Sequence, residues 1–172
     1  MADALRAAGE YAEALSLFER LDAHRKDDKA ANILAPGTPG RQIDIACLHW
    51  LLGCRAKAMQ LMHGLAAGIL DGSIKYGDAA GGMSQGLLLY YMAVSETQPK
   101  QMSFALDYLR NRVEQANAQT WPCPVASYYL GDVAFTNVME RVNRRISTMP
   151  LAPATLEVGD ANAYAWLCST TG

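Results

Sequence analysis

The segment Gly82-Met-Ser84-Gln-Gly86 places a serine between two glycines, in the Gly-x-Ser-x-Gly pattern of a serine nucleophile. In hydrolases this pattern occupies a sharp turn between a strand and a helix, which exposes the serine hydroxyl. Here a helix is predicted after the pattern, but no strand pattern precedes it. We interpret Ser84 as a helix-start residue. A hydrolase that uses Ser84, with Asp78 or His63 as helpers, is an alternative hypothesis.

Five glycines and two aspartates make residues 71–86 the most unusual loop of the sequence. The loop lacks the Gly-x4-Gly-Lys-Ser/Thr pattern that binds phosphate, and the segment Gly77-Asp-Ala-Ala-Gly81 is not a dinucleotide-binding fingerprint. Asp71 and Asp78 do not have the alternating ligands and closing glutamate of a calcium loop. We therefore predict no nucleotide, metal or other cofactor in this loop.

The same loop can be a connector between helices or a contact surface. As a connector, its glycines form turns and allow a close helix start. Loops longer than about 12 residues without structure of their own are uncommon and often functional. A tyrosine beside charged residues is typical of an interface anchor. We predict that the loop contacts a protein partner through five residues: Asp71, Lys75, Tyr76, Asp78 and Gln85.

Histidine and cysteine side chains could bind zinc, but their spacing does not favour a metal site. The sequence has no Cys-x2-Cys and no His-x3-His pair. If one helix carries both Cys47 and Cys54, they lie about 10 Å apart, too far for a disulfide. We expect four free thiols, most of them buried: Cys47, Cys54, Cys123 and Cys168.

The composition indicates a globular domain. Of the 172 residues, 51% are hydrophobic and 19% are charged, which permits a large core. The formal net charge of -2 argues against nucleic acid as a partner, because phosphate binding needs a concentrated basic surface. No apolar run reaches the roughly 20 residues of a membrane span, and no signal peptide is visible. We predict a cytoplasmic protein that does not bind membranes.

Residues 1–150 are predicted to form one all-α domain. Apolar residues recur at helical spacing, for example at Ala14, Leu17, Phe18 and Leu21. Helices are predicted over residues 2–8, 11–25, 41–69 (interrupted at Gly53), 83–94, 99–116 and 125–130, with a last one ending near residue 146. The helical period is lost after residue 150, so we expect residues 151–172 to be an irregular tail.

One helical pattern occurs twice and, more weakly, a third time. GEYAEALSLFERL, from Gly9, and GCRAKAMQLMHGL, from Gly53, share Gly-x4-Ala-x3-Phe/Met-x2-Leu at a distance of 44 residues. A third copy keeps Ala105 and Leu109, after a further 47 residues. Glycine permits a tight turn, alanine lets two helices approach closely, and the large apolar residue fills the space between them.

This pattern resembles the second helix of a tetratricopeptide repeat, and Ser127-Tyr-Tyr-Leu130-Gly131 resembles the Leu-Gly of the first helix in that family. The copies are not spaced by the roughly 34 residues of the family. The resemblance implies antiparallel helix pairs stacked as an irregular, right-handed array. An ordinary helical bundle with small residues at its helix contacts is the alternative.

We expect a protein–protein interaction module of a bacterial type that is not an enzyme. It would bind a protein partner through its helical surface and through loop 71–86. The size, the acidic balance and the repeat-like helices also resemble immunity proteins of bacterial toxin systems, which bind a toxin and occlude its active site. That resemblance implies a toxin as the partner.

Overall fold

The computed structural model describes residues 1–24, 39–75, 82–116 and 121–148, which form helices joined by turns. The helices are α1 Ala2–Ala7, α2 Tyr11–His24, α3 Pro39–Leu51, α4 Arg55–Leu70, α5 Met83–Ser95, α6 Pro99–Gln115, α7 Cys123–Tyr129 and α8 Phe135–Thr148. No strand occurs among these residues, so the predicted all-α class is confirmed. Within the described segments, no helix combines the length and the hydropathy that crossing a bilayer requires.

The chain divides into two compact units, Met1–Val138 and Met139–Gly172. The predicted tail, residues 151–172, lies outside the described residues, and its irregular path stays a prediction. In the first unit, helices α1 to α7 pack in chain order, each against the next. In addition, α4 contacts α6 and α5 contacts α7.

The same kind of turn joins the helix pairs α1–α2, α3–α4, α5–α6 and α7–α8. In the first pair, the Gly9 N–H donates to the Arg6 carbonyl oxygen at 3.1 Å and the Glu10 N–H donates to that of Leu5 at 2.9 Å. These two bonds form a Schellman motif, which satisfies the last carbonyls of a helix and needs one left-handed residue. That residue has a φ of 85°, 80°, 53° and 82° in the four pairs: Gly9, Gly53, Thr97 and Gly131.

Thr97 occupies the left-handed position of the third pair. Its N–H donates to the Val94 carbonyl oxygen at 3.1 Å, and the Gln98 N–H donates to that of Ala93 at 2.8 Å. Counted from turn to turn, the first three pairs therefore repeat every 44 residues. The repeat of 44 residues places the equivalent of Ala58 at residue 102, whereas the sequence pattern placed the third copy at Ala105. The pattern was displaced by three residues because the turn has threonine, and not glycine, at its left-handed position.

The resemblance of the segment at Leu130-Gly131 to part of a first helix is not matched by its position. Gly131 follows the last residues of α7, and its N–H donates to the Tyr128 carbonyl oxygen at 3.0 Å. Gly131 is the equivalent of Gly9 and Gly53. It occupies the left-handed position of a turn, and it does not lie at a contact inside a helix.

Two apolar clusters can be described within segments 1–24, 39–75, 82–116 and 121–148. The larger cluster joins α4, α5 and α6 with Ala46 of α3, and the smaller one joins α1, α2 and α3. The alanines of the repeated pattern, Ala14, Ala58 and Ala105, are all fully buried. Each alanine therefore lies at a helix contact, as the pattern predicts.

Helices α5 and α6 approach most closely at Gly86. A Cβ atom on Gly86 would lie 2.6 Å from Cδ1 of Tyr108 and 2.7 Å from Cδ2 of Leu109. Both of those side chains are fully buried in the core, so a Cβ atom at this position requires the core to shift. Glycine at this position is therefore a packing requirement of the α5–α6 contact.

Gly86→Ala should lower the free energy of unfolding by about 1–3 kcal/mol, the usual range for overpacking a core. Gly64 in α4 is the matched control, because it is exposed and a Cβ there would meet no atom within 4 Å. Gly64→Ala should stabilise the protein by up to about 1 kcal/mol through helix propensity. Urea unfolding measures both. Equal effects of the two alanines would contradict the close α5–α6 contact.

Thr97→Gly should stabilise the protein by about 0.5–1 kcal/mol, since the strain of a left-handed threonine exceeds the chain entropy that glycine adds. The reciprocal change, Gly53→Thr, should destabilise it by about 1–2 kcal/mol. Thermal and urea unfolding of the two variants test the equivalence of the turns. A loss of stability in Thr97→Gly would show that the threonine side chain contributes more than its strain costs.

Candidate functional site

The first residues of the predicted contact loop form a turn that folds back on α4. The Ser73 N–H donates to Oδ1 of Asp71 at 2.9 Å, and the Ile74 N–H donates to the Gly68 carbonyl oxygen at 2.8 Å. Hydrogen bonds from the Ser73 hydroxyl and backbone N–H lower the pKa of Asp71. Asp71 and Lys75 are exposed, as partner-contact residues must be. Tyr76 and Asp78 lie outside the described residues.

The end of the loop is anchored to α6. The Tyr108 hydroxyl donates to the carbonyl oxygen of Gly82 at 2.7 Å, and this bond is buried. A Cβ atom on Gly82 would lie 2.7 Å from the same hydroxyl oxygen, and Gly82 also has a φ of 83°. Sequence reasoning missed Tyr108 as a partner of this loop. The available signal was the i, i+4 spacing of Gly82 and Gly86, which permits a large side chain to lie against this face.

Gln85 differs from the prediction that it contacts a partner. Its side chain is fully buried, and neither its amide nitrogen nor its amide oxygen makes a hydrogen bond. A partner-contact residue must reach the surface, so Gln85 does not belong with Asp71 and Lys75. It occupies the third position of α5, where its neighbours Met83 and Leu87 are buried apolar side chains. Its polarity predicted exposure, but the packing of α5 places it inside.

Ser84 is the second residue of α5, and its side chain is partly buried. Within the described segments, no hydrogen bond joins Ser84 to a histidine or a carboxylate. His63, the proposed helper, lies at the α4–α6 contact. There its Nδ1 is 2.7 Å from Oε1 of Gln101, and its ring stacks on that of Phe104 with centroids 4.1 Å apart.

The cysteines are distributed differently from the prediction. Cys47 is in α3, and Cys54 precedes α4, because Gly53 ends the helix that would have carried both. Both are free thiols, as is Cys123. Only Cys123 is fully buried, while Cys54 is exposed. Burial raises the pKa of the Cys47 thiol to about 11. Among the described residues, metal-binding side chains do not come together in groups of three.

The carboxylate of Asp44, a residue of α3, is engaged within the chain. It pairs with Arg6 and joins α3 to α1. Burial is the largest influence on the Asp44 carboxyl and raises its pKa, although Arg6 acts in the opposite direction. Asp44 is thus a structural residue of the first unit, because an ion pair within the chain leaves its carboxylate unavailable to a partner.

A set of partly exposed aromatic side chains lies on the first helix of each of the last three pairs and at the start of α8. We call this set the aromatic edge: Trp50, Tyr90, Tyr91, Tyr128, Tyr129 and Phe135. The ring centroids are 6.1 Å apart for Trp50–Tyr91, 5.2 Å for Tyr90–Tyr129, 5.3 Å for Tyr128–Tyr129 and 5.6 Å for Tyr128–Phe135. Contacts between these rings therefore connect α3, α5, α7 and the start of α8.

An arginine joins two of the turns at the aromatic edge. The Arg55 guanidinium lies 4.8 Å from the centroid of the Trp50 ring and donates to Oε1 of Glu96 at 2.6 Å. Large apolar side chains flank this pair: Leu51 is 54% exposed and Val94 is 46% exposed. Half-exposed aromatic rings with an arginine among them are the residue types that dominate binding energy at protein interfaces.

Comparison with protein families, with curated proteins and with solved structures found no match to this chain. The chemistry of the site therefore has to be argued from its own residues. In the described part of the chain, the aromatic edge is the surface whose residue types favour a binding role most clearly. Sequence reasoning missed it because its six residues come from four helices.

Gln85→Met should raise the free energy of unfolding by about 1–2 kcal/mol. Methionine has nearly the same shape as glutamine and removes two polar atoms that are buried without a partner. Urea unfolding measures this change in the free energy of unfolding. Tyr108→Phe is a control with the opposite expected sign, because it removes a buried hydrogen bond and should lower the free energy of unfolding by about 1–2 kcal/mol. A destabilised Gln85→Met variant would mean that the amide is hydrogen-bonded in solution.

Proposed function

We propose that this protein is a non-catalytic, cytoplasmic protein–protein interaction module that binds its partner through the aromatic edge. The observation that carries the proposal is that partly exposed aromatic rings touch between helices of three successive pairs, in two groups: Trp50 with Tyr91, and Tyr90 with Tyr129, Tyr128 and Phe135. Aromatic side chains bury a large area at a low cost in conformational entropy. Partly exposed rings of this kind are suited to be covered further by another protein.

The helix pairs support such a surface if they form an irregular, right-handed array of the tetratricopeptide type. Two observations favour that arrangement. The same left-handed turn recurs at Gly9, Gly53, Thr97 and Gly131. The second helix of each of the first three pairs also packs on the first helix of the next pair. Repeated pairs present equivalent helix ends side by side, which produces an extended binding surface.

The exposed start of loop 71–86 is a second part of the proposed contact. Asp71 and Lys75 carry opposite charges on a turn that is hydrogen-bonded to itself and to α4. An ordered turn loses less conformational entropy on binding than a free loop does. Polar contacts of this kind contribute orientation and specificity, while the aromatic edge contributes most of the affinity.

Tyr128→Ser combined with Phe135→Ser should abolish capture of the partner from a lysate of the native host. Phe135 is 36% exposed and Tyr128 is partly exposed, so the fold should persist. Circular dichroism and the unfolding midpoint verify that the variant is folded. The expected loss of binding is at least tenfold, since each interface aromatic contributes about 1–2 kcal/mol or more.

Leu70→Ser is the matched control. Leu70 is also a large apolar residue with partial exposure, 39%, but it lies at the opposite end of α4 from Arg55, about 22 Å away. One stoichiometric protein that is retained by Leu70→Ser and lost by the aromatic variant supports the proposal. Equal capture by both variants would rule out the aromatic edge. If the captured protein is a toxin, protection of cells by the wild type but not by the aromatic variant distinguishes an immunity protein from an adaptor.

A further inference from the structure

A second surface is an open groove between α1 and α2, with a volume of about 440 Å³. Its floor is apolar and is formed by Met1, Leu5 and Leu17, while Glu13 and Arg20 lie on its rim. None of these residues belongs to the aromatic edge. A binding function of the groove would therefore be independent of the proposed function.

In the third helix pair, the equivalent groove is filled. Helix α4 packs against both α5 and α6. It does so through His63, which contacts Gln101 and Phe104, and through its buried apolar residues, which share a cluster with five residues of α5 and α6: Leu89, Met92, Ala93, Ala105 and Tyr108. In the second pair, α2 packs mainly on the first helix, α3. Glu19 of α2 lies 3.6 Å from His49, and Phe18 shares a cluster with Ile45, against which Leu61 of α4 also packs.

Six of the seven residues that line the α1–α2 groove correspond to residues of that filled groove, and the seventh, Ala12, corresponds to the exposed Lys100. Two repeats of 44 residues, counted from the turns at Gly9 and Thr97, relate the six positions. The pairs are Met1 with Leu89, Leu5 with Ala93, Glu13 with Gln101, Ser16 with Phe104, Leu17 with Ala105, and Arg20 with Tyr108. In the described part of the chain, no helix is seated on α1 and α2 in the way that α4 is seated on α5 and α6.

We propose that the α1–α2 groove binds an amphipathic α-helix of a partner protein, placed as α4 is placed on α5 and α6. The groove lies at positions equivalent to those that α4 covers on α5 and α6, and Leu5 and Leu17 keep its lining apolar. An amphipathic helix laid into an apolar groove is an established mode of recognition.

The charges of the groove indicate which helix fits. In the third pair, His63 of α4 contacts the neutral Gln101. At the equivalent position of the α1–α2 groove, a bound helix would contact the carboxylate of Glu13. The residue at the His63 position of the partner helix is therefore basic. Ser16 takes the place of Phe104, so the groove has room there for a long side chain such as lysine or arginine. Arg20, about two helical turns beyond Glu13, favours an acidic residue further along the same helix.

The probes are two peptides of the sequence of residues 55–70, one with His63→Lys and one with His63→Glu. Fluorescence anisotropy measures their binding to the full chain. Wild-type protein should bind the lysine peptide about five-fold more tightly than the glutamate peptide, a typical effect of one exposed charge pair. The exposed residue Glu13 is then changed to lysine, and the preference should reverse. Failure of the preference to reverse, or no binding of either peptide, would overturn the proposal.

A matched pair of variants locates the binding site. Ser16 and Gln60 are both exposed, each is the sixth residue of its helix, and they are one 44-residue repeat apart, but only Ser16 lines the groove. Ser16→Arg should weaken the lysine peptide at least tenfold, whereas Gln60→Arg should leave its affinity unchanged. Equal affinity in both variants would place binding elsewhere. Self-association of the wild type that Ser16→Arg abolishes would also contradict the proposal, because the occupant would then be a second copy of this chain.

Discussion

One left-handed residue at the end of the first helix in each pair is the constraint on which the rest of this structure depends. It closes a Schellman motif that satisfies the last carbonyls of one helix, and in the first three pairs the next helix starts two residues later. The direction in which a side chain points around an α-helix depends on how many residues separate it from the helix start. Helices that begin after the same turn therefore have equivalent residues on the same face. The recurrence of this turn thus explains why buried and exposed positions repeat.

Close contact between neighbouring helices is the second consequence. The turn leaves the two helices adjacent, and small residues decide how near they come. Ala14, Ala58 and Ala105 are fully buried at these contacts, and Gly86 leaves space for Tyr108 and Leu109. The Tyr108 hydroxyl then bonds the carbonyl of Gly82 and holds the end of the glycine-rich loop. The loop is therefore tied to the fold at both described ends, by the Asp71 turn and by this bond.

The two candidate binding surfaces arise from the same repetition. The aromatic edge collects side chains from the first helices of three pairs and from the start of α8. The α1–α2 groove has the shape of a contact that α4 completes in the third pair. Each surface is a part of the repeated packing pattern that the described chain does not itself cover.

The sequence by itself determined the all-α class, most helix ends and the residues of the repeated pattern. These features depend on local chemistry: the 3.6-residue period of apolar side chains, proline at Pro99, and glycine at Gly9 and Gly53. It did not reveal the turn at Thr97, since a left-handed φ at a threonine has no local signature. Only the tertiary structure decided that polar Gln85 is buried, that Asp44 is paired with Arg6, and that six aromatic rings form one edge. Those outcomes depend on which helices meet, and helix contacts join residues that are far apart in the chain.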